Sequence, residues 1–254
     1  MDQMVKIAKI GSRDTASRPN ALPAKVSPAK VSPAKVSRGA ATRTLILQTA
    51  LRLFNEGSAS DINTNQIAAA ASISPGNLYY HFRNKEEIIR ALFPSIKEAI
   101  AEPLTYPKGE SISADRMAAD YVKAIEILWR YRFFFADFVG LGQRDQALAE
   151  AMRHLQDETI ATMYAMFEDV MAQGDMILLE EKTLEHLALN SFLVWFSWVS
   201  FMDRTSDPRT KREERLADGA LACLAIADPY LKPAYRAAVH EALLKLMKPQ
   251  RKKL

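Results

Sequence analysis

Gly76-Asn77-Leu78-Tyr79-Tyr80-His81-Phe82 is a run whose polar members suit hydrogen bonding to a rigid polar partner. The amide of Asn77 can offer a donor and an acceptor to a base edge. Tyrosine hydroxyls and the His81 imidazole can bond phosphate oxygens or lay apolar area on a thymine methyl. Gly76 leaves room for a backbone to come close. Groups that would support catalysis are scattered instead. His81, His154, His186 and His240 show no metal-ligand spacing. Gly140-Leu141-Gly142 has no strand before it and no third glycine, and Cys223 lies in an alanine- and leucine-rich segment suited to a packed thiol. No catalytic residue, cofactor or metal is therefore expected; an all-helical enzyme is kept as an alternative.

Such a run needs a short helix held at the surface, and the flanking residues supply one. Leu47, Ala50, Leu51 and Phe54 share a helical face that stops at Gly57. Asn63 and Thr64 offer caps for a short helix through Ala71. Ser74 caps the next, with Pro75 at its first position, and that helix ends near Phe82. A fourth helix begins around Lys85 and runs to Ala101, before Pro103, Pro107 and Gly109. Two short helices joined by a tight turn make a helix-turn-helix, with Ile67, Ala71, Ile73, Leu78 and Phe82 as its shared core. If Leu78 and Phe82 face inward, a rotation of about 100° per residue turns Gly76, Asn77 and Tyr80 outward and leaves Tyr79 and His81 on the flanks. The competing reading of the three aromatics is packing inside a helical core.

Ile67-Ala68, Ala71, Ser74, Gly76, Leu78, Tyr79, His81, Phe82 and Lys85 together resemble the DNA-binding signature of TetR-type regulators, over residues 43 to 97. That resemblance implies that Thr64, Asn65 and Gln66 approach DNA from the second helix. It brings Gly76, Asn77, Tyr79, Tyr80, His81 and Lys85 from the recognition helix and its successor. Arg43 and Ser74 complete the expected contact set. Ser72 departs from the family, which usually has glycine in the turn. The implied function is a sequence-specific transcriptional regulator, by analogy a repressor released from a palindromic operator by a small apolar or amphipathic ligand. A nucleoid-type or architectural protein, binding without sequence preference, is the other DNA-binding reading.

Behind this segment the periodicity stays helical, with helices expected at 113 to 138, 145 to 173, 181 to 204, 209 to 227 and 233 to 248, so the fold class is all-α. The division expected is a disordered basic arm over 1 to 40, a DNA-binding domain over 41 to 97 and a ligand-binding and dimerisation domain over 98 to 250. The aromatic run from Trp129 to Phe138 resembles the opening of one C-terminal domain type found behind TetR-like DNA-binding domains. Trp129, Phe133, Phe134, Met163, Phe167, Phe192 and Trp195 are candidates for an adaptable apolar pocket, and equally for a core. A single recognition helix reads few base pairs, so a homodimer is expected. Its interface is placed on the helices at 181 to 204 and 209 to 227, whose apolar surface burial within one subunit would explain as well.

Charge is distributed to match. Residues 1 to 97 hold 14 Lys plus Arg against 6 Asp plus Glu, and the remainder 20 against 24, so the basic excess sits beside the motif. Three Pro-Ala-Lys-Val-Ser repeats from Pro23 to Ser37 interrupt any helix and bury little. They form either an arm that follows phosphates or a solubilising leader. A lone cysteine and the lack of an arginine-led apolar opening fit a cytoplasmic location. The apolar run Phe192 to Met202 is too short for a bilayer span of roughly 20 residues, so no membrane partner is expected.

Overall fold

The computed structural model describes residues 38 to 106, 110 to 205 and 210 to 247, apart from the side chains of 203 to 205. The Pro-Ala-Lys-Val-Ser repeats and the arm up to residue 37 lie outside the described residues, as do Pro107, Gly109 and the connector Ser206 to Pro208. The described chain is helical: α1 (Arg38–Glu56), α2 (Thr64–Ala70), α3 (Pro75–His81), α4 (Lys85–Ala101), α5 (Ala114–Arg130), α6 (Arg132–Ala136), α7 (Phe138–Arg144), α8 (Gln146–Ala172), α9 (Glu181–Thr205), α10 (Arg212–Ala227) and α11 (Pro233–Met247). Short 3₁₀ turns follow α4 and α10. Among the described residues strand pairing is limited to one isolated bridge, Met176 to Leu231.

Local chemistry sets these limits. Asn63 and Gln66 form a reciprocal capping box on α2, and Ser74, Asn84, Ser113 and Asp145 cap α3, α4, α5 and α8 through side-chain oxygens. At the end of α8, Gly174 takes φ +91° and its neighbour Asp175 bonds back to Val170, closing the helix in a Schellman turn. The start of α1 differs from expectation, because Arg38, Gly39 and Ala40, counted with the arm, are already helical.

The helix expected over 113 to 138 is three helices. Tyr131 and Asp137 each adopt ψ 30°, which breaks the ladder without any proline or glycine at either break. Asn55 of α1 satisfies the groups freed at the first break. Its amide donates to the Arg130 carbonyl at 2.8 Å, and its Oδ1 accepts from the Phe133 N–H at 3.2 Å. Gly140 and Gly142, expected in a connector, lie inside α7.

A single apolar core runs from Ile46, Phe54, Ile67 and Leu78 into Phe134, Phe167, Trp195 and Leu243. The N-terminal helices are joined to the rest through α4, through the packing of Phe54 on Phe133 at 5.3 Å, and through an ion pair from Arg90 of α4 to the buried Asp145 at the head of α8. α4 passes through Pro94 without ending. In the body α5 lies along α11 and α10, and α9 packs on α8 and α10.

Candidate nucleic-acid interface

The turn between α2 and α3 is closed by Ser72. Its φ of 56° is left-handed, and the N–H groups of Ser72 and Ile73 bond to the carbonyls of Ala69 and Ala68 at 3.0 Å each. This is the Schellman arrangement with serine where glycine is favoured, so the departure noted in the sequence is accommodated at a backbone cost of about 1–2 kcal/mol. Ile67, Ala68, Ala71, Leu78 and Phe82 are buried beneath the turn, and Ile73 is half-buried.

With Leu78 at 0% exposure, the opposite face of α3 points to solvent. Tyr80 is 84% exposed and Tyr79 48%, which rules out core packing for both. Gly76 and Asn77 are exposed and His81 is half-buried, its ring edge-on to Tyr80 at 5.1 Å. A Cβ on Gly76 would meet nothing within 4 Å, so packing inside the protein does not require glycine there. Asn65 and Gln66 are exposed on α2, and the Thr64 hydroxyl lies 3.0 Å from the Tyr79 hydroxyl, tying the two helices at the same face. The Ser74 hydroxyl accepts from the Asn77 N–H, so this oxygen is used in capping.

Arg43 and Lys85, both in the expected contact set, also have partners within the protein. The Arg43 guanidinium lies over the Phe82 ring at 4.9 Å and keeps an exposed edge. The Lys85 ammonium donates to the carbonyls of Ala59 and Ser60, where it holds the loop after α1. Sequence reading missed Gly39: a Cβ there would lie 3.9 Å from His81, so the first turn of α1, with exposed Arg38, runs beside the recognition helix.

Two family models match this chain. The one described as "Bacterial regulatory proteins, tetR family" matches residues 46–92, and "TetR: Bacterial transcriptional repressor" matches residues 96–239. The chain belongs to the TetR family. It is 24% identical to the HTH-type transcriptional regulator UidR of Escherichia coli K12 over 135 residues, 53% of this chain and 69% of UidR. It is 36% identical to the probable acrEF/envCD operon repressor of Escherichia coli K12 over 67 residues, 25% of this chain and 30% of that one. The crystal structure of a TetR-family transcriptional regulator from Marinobacter aquaeolei VT8 shares its fold with a TM-score of 0.73 at 32% identity, covering 80% of this chain and 98% of that one. The SmeT–triclosan complex is similar in fold, with a TM-score of 0.54 at 18% identity, over 77% of this chain and 94% of that one. As a TetR-family protein with an exposed recognition helix, this chain is a DNA-binding transcriptional regulator.

The aromatics of the body behind α4 divide into three groups. Met163, Phe167 and Trp195 line a cavity of about 50 Å³ with Leu104, Tyr106, Met117, Asp120, Tyr121, Met166, Ser191 and Cys223. Phe134 and Phe192 border a much smaller gap beside Trp195, and Phe134 packs on Phe93 of α4. Phe133 packs on Phe54, and Trp129 borders a separate small gap with Trp198, Arg215 and Leu216. The seven candidates are thus not brought together at one site.

Tyr106, Asp120 and Ser191 escaped the sequence reading because they lie far apart in the chain and follow no local pattern. Tyr106 donates to Asp120 at 2.7 Å, and Arg116 donates to the same carboxylate at 2.8 and 2.9 Å. Burial raises the Asp120 carboxyl above its ordinary range, opposed by the hydrogen bonds from Tyr106 and Arg116. Burial also pushes the Cys223 thiol up to about 12, which makes it a poor nucleophile. A wider groove of about 590 Å³ on the outer side of α5 is lined by Glu102, Arg116, Lys123, Glu126 and Leu246 and opens to solvent. Among the described residues no cluster of metal-ligating side chains is found, and no helix is long and apolar enough to cross a membrane.

Proposed function

We propose that this chain is a sequence-specific repressor that binds a palindromic operator as a homodimer and is released by a small apolar or amphipathic ligand. The carrying observation is the division of α3: Leu78 is fully buried while Asn77, Tyr79 and Tyr80 are exposed around an unobstructed Gly76. That surface suits a major groove, where side-chain amides and aromatic edges discriminate base pairs. Its role is binding, not turnover, and its place of action is the cytoplasm. The division into an arm, a DNA-binding domain ending near residue 97 and a ligand-binding and dimerisation domain to about residue 250 belongs to the same reading.

Dimerisation falls to α9 and α10. Leu193 and Phe201 of α9 are 47% and 52% exposed on a helix whose other side is core, a surface that a second copy would cover. Two copies would then present α3 to half-sites one turn, about 34–36 Å, or a multiple of it apart. The sensing role is supported by the apolar cavity that Leu104 and Tyr106, just after α4, help to line, and by the complex that SmeT, a protein of similar fold, forms with triclosan. Selection of bound fragments from random duplex DNA tests the reading. Enrichment of one inverted repeat is expected; retention of all sequences alike would replace the repressor by an architectural protein.

A further inference from the structure

The cavity in the body has a definite polar composition, which limits what it can hold. The Trp195 indole N–H is occupied by the Ala124 carbonyl at 3.2 Å. Asp120 is occupied by Tyr106 and Arg116, so its charge is compensated at the cavity edge. The Ser191 hydroxyl is different. It is buried, lines the cavity and has no hydrogen-bond partner among the described residues. A buried hydroxyl without a partner costs about 1–3 kcal/mol, so on a residue that lines a cavity it is a vacant donor and acceptor that a molecule widening the cavity can reach. Around it stand Met117, Met163, Met166, Phe167 and Trp195, flat rings and pliable thioethers.

Charge decides between ligand classes. An anion entering beside Asp120 would meet a carboxylate, and a cation would find that carboxylate already bound by Arg116. Neither ion would regain in this apolar space the hydration it gives up. An uncharged flat molecule loses little and gains one hydrogen bond. We propose that the cavity takes a neutral aromatic or alicyclic alcohol, its hydroxyl bonded to Ser191 and its apolar body between the methionines and Trp195. The proposal rests on the reading of the body as a sensor and gives that sensor a ligand chemistry.

The route to DNA follows from size. A cavity of about 50 Å³ has room for only one or two waters at roughly 30 Å³ each, so a two-ring molecule must move its walls. Leu104 and Tyr106 form the wall that directly follows α4. Opening the cavity there displaces the end of α4, whose other end carries the recognition helix.

The test uses the full chain and four probes of one shape: 2-naphthol, naphthalene, 2-naphthoate and 2-naphthylmethylammonium, followed by tryptophan fluorescence. We expect 2-naphthol to bind roughly 3- to 10-fold tighter than naphthalene, the yield of one neutral hydrogen bond, with both ions weaker than either. Ser191→Ala should abolish the advantage of 2-naphthol, leave naphthalene unchanged and melt no lower than the parent. An ion that binds as well as 2-naphthol, an advantage that survives Ser191→Ala, or no binding by any probe would overturn the proposal. If 2-naphthol binds through Ser191 yet leaves operator affinity unchanged, the ligand site stands and the sensor reading falls. If the proposed ligand fails while another compound releases the operator, the reverse holds.

Discussion

Gly76 and Ser72 separate, at single positions, what the fold needs from what recognition needs. A Cβ on Gly76 meets open space, and alanine favours a helix over glycine by up to about 1 kcal/mol. Gly76→Ala should therefore melt no lower than the parent while weakening specific DNA binding by about 1 kcal/mol or more, because the added methyl lies on the face presented to the groove. Differential scanning calorimetry and gel shifts on the same samples check both halves; unchanged affinity would turn that face away from DNA. Ser72 shows the converse, a residue in left-handed backbone. Ser72→Gly should raise stability by roughly 0.5–1 kcal/mol, the strain relieved less the extra entropy of glycine in the unfolded chain. DNA affinity should stay as it was, and a lower melting temperature would show that the serine is not strained there.

The elements of the DNA-binding half were legible in the sequence because their signals are local. Asn63 and Ser74 are caps that act within three residues, and the spacing of Leu78 and Phe82 alone orients α3. The single helix expected over 113 to 138 failed for the opposite reason. Its break at Tyr131 is stabilised by Asn55, more than seventy residues earlier, and no periodicity reports such a partner. Likewise the bonds from Lys85 to the carbonyls of Ala59 and Ser60 join residues far apart in the chain and have no local signal. Phe133 reads as a pocket residue until Phe54 of α1 is seen packed on it. Asn55→Ala should cost about 1–2 kcal/mol in urea unfolding, since the carbonyl of Arg130 and the N–H of Phe133 lose a partner at a partly wet site. Asn55→Asp keeps the acceptor and loses the donor, so it should recover only part of that loss. Unchanged stability in Asn55→Ala would mean that the break holds itself open.

At the scale of the whole molecule, charge and shape work together. Residues 1–97 hold 14 Lys plus Arg against 6 Asp plus Glu, and α1 starts at Arg38 with Gly39 beside His81. Deleting residues 1–37 should weaken binding to all DNA sequences by a similar factor and flatten the salt dependence, leaving the preferred site unchanged, because lysines that neutralise phosphates read no bases. Filter binding across a salt series checks this; an unaltered slope would remove the arm from the interface. The central claim, that α3 reads sequence, is tested most directly by fluorescence anisotropy of the full chain and of Tyr80→Ala on the selected inverted repeat and on a scrambled duplex. Tyr80→Ala should lose about 1–3 kcal/mol on the repeat and almost nothing on the scrambled duplex, with its helical circular dichroism and melting curve intact. Equal losses on both duplexes, or none on either, would contradict recognition through this helix.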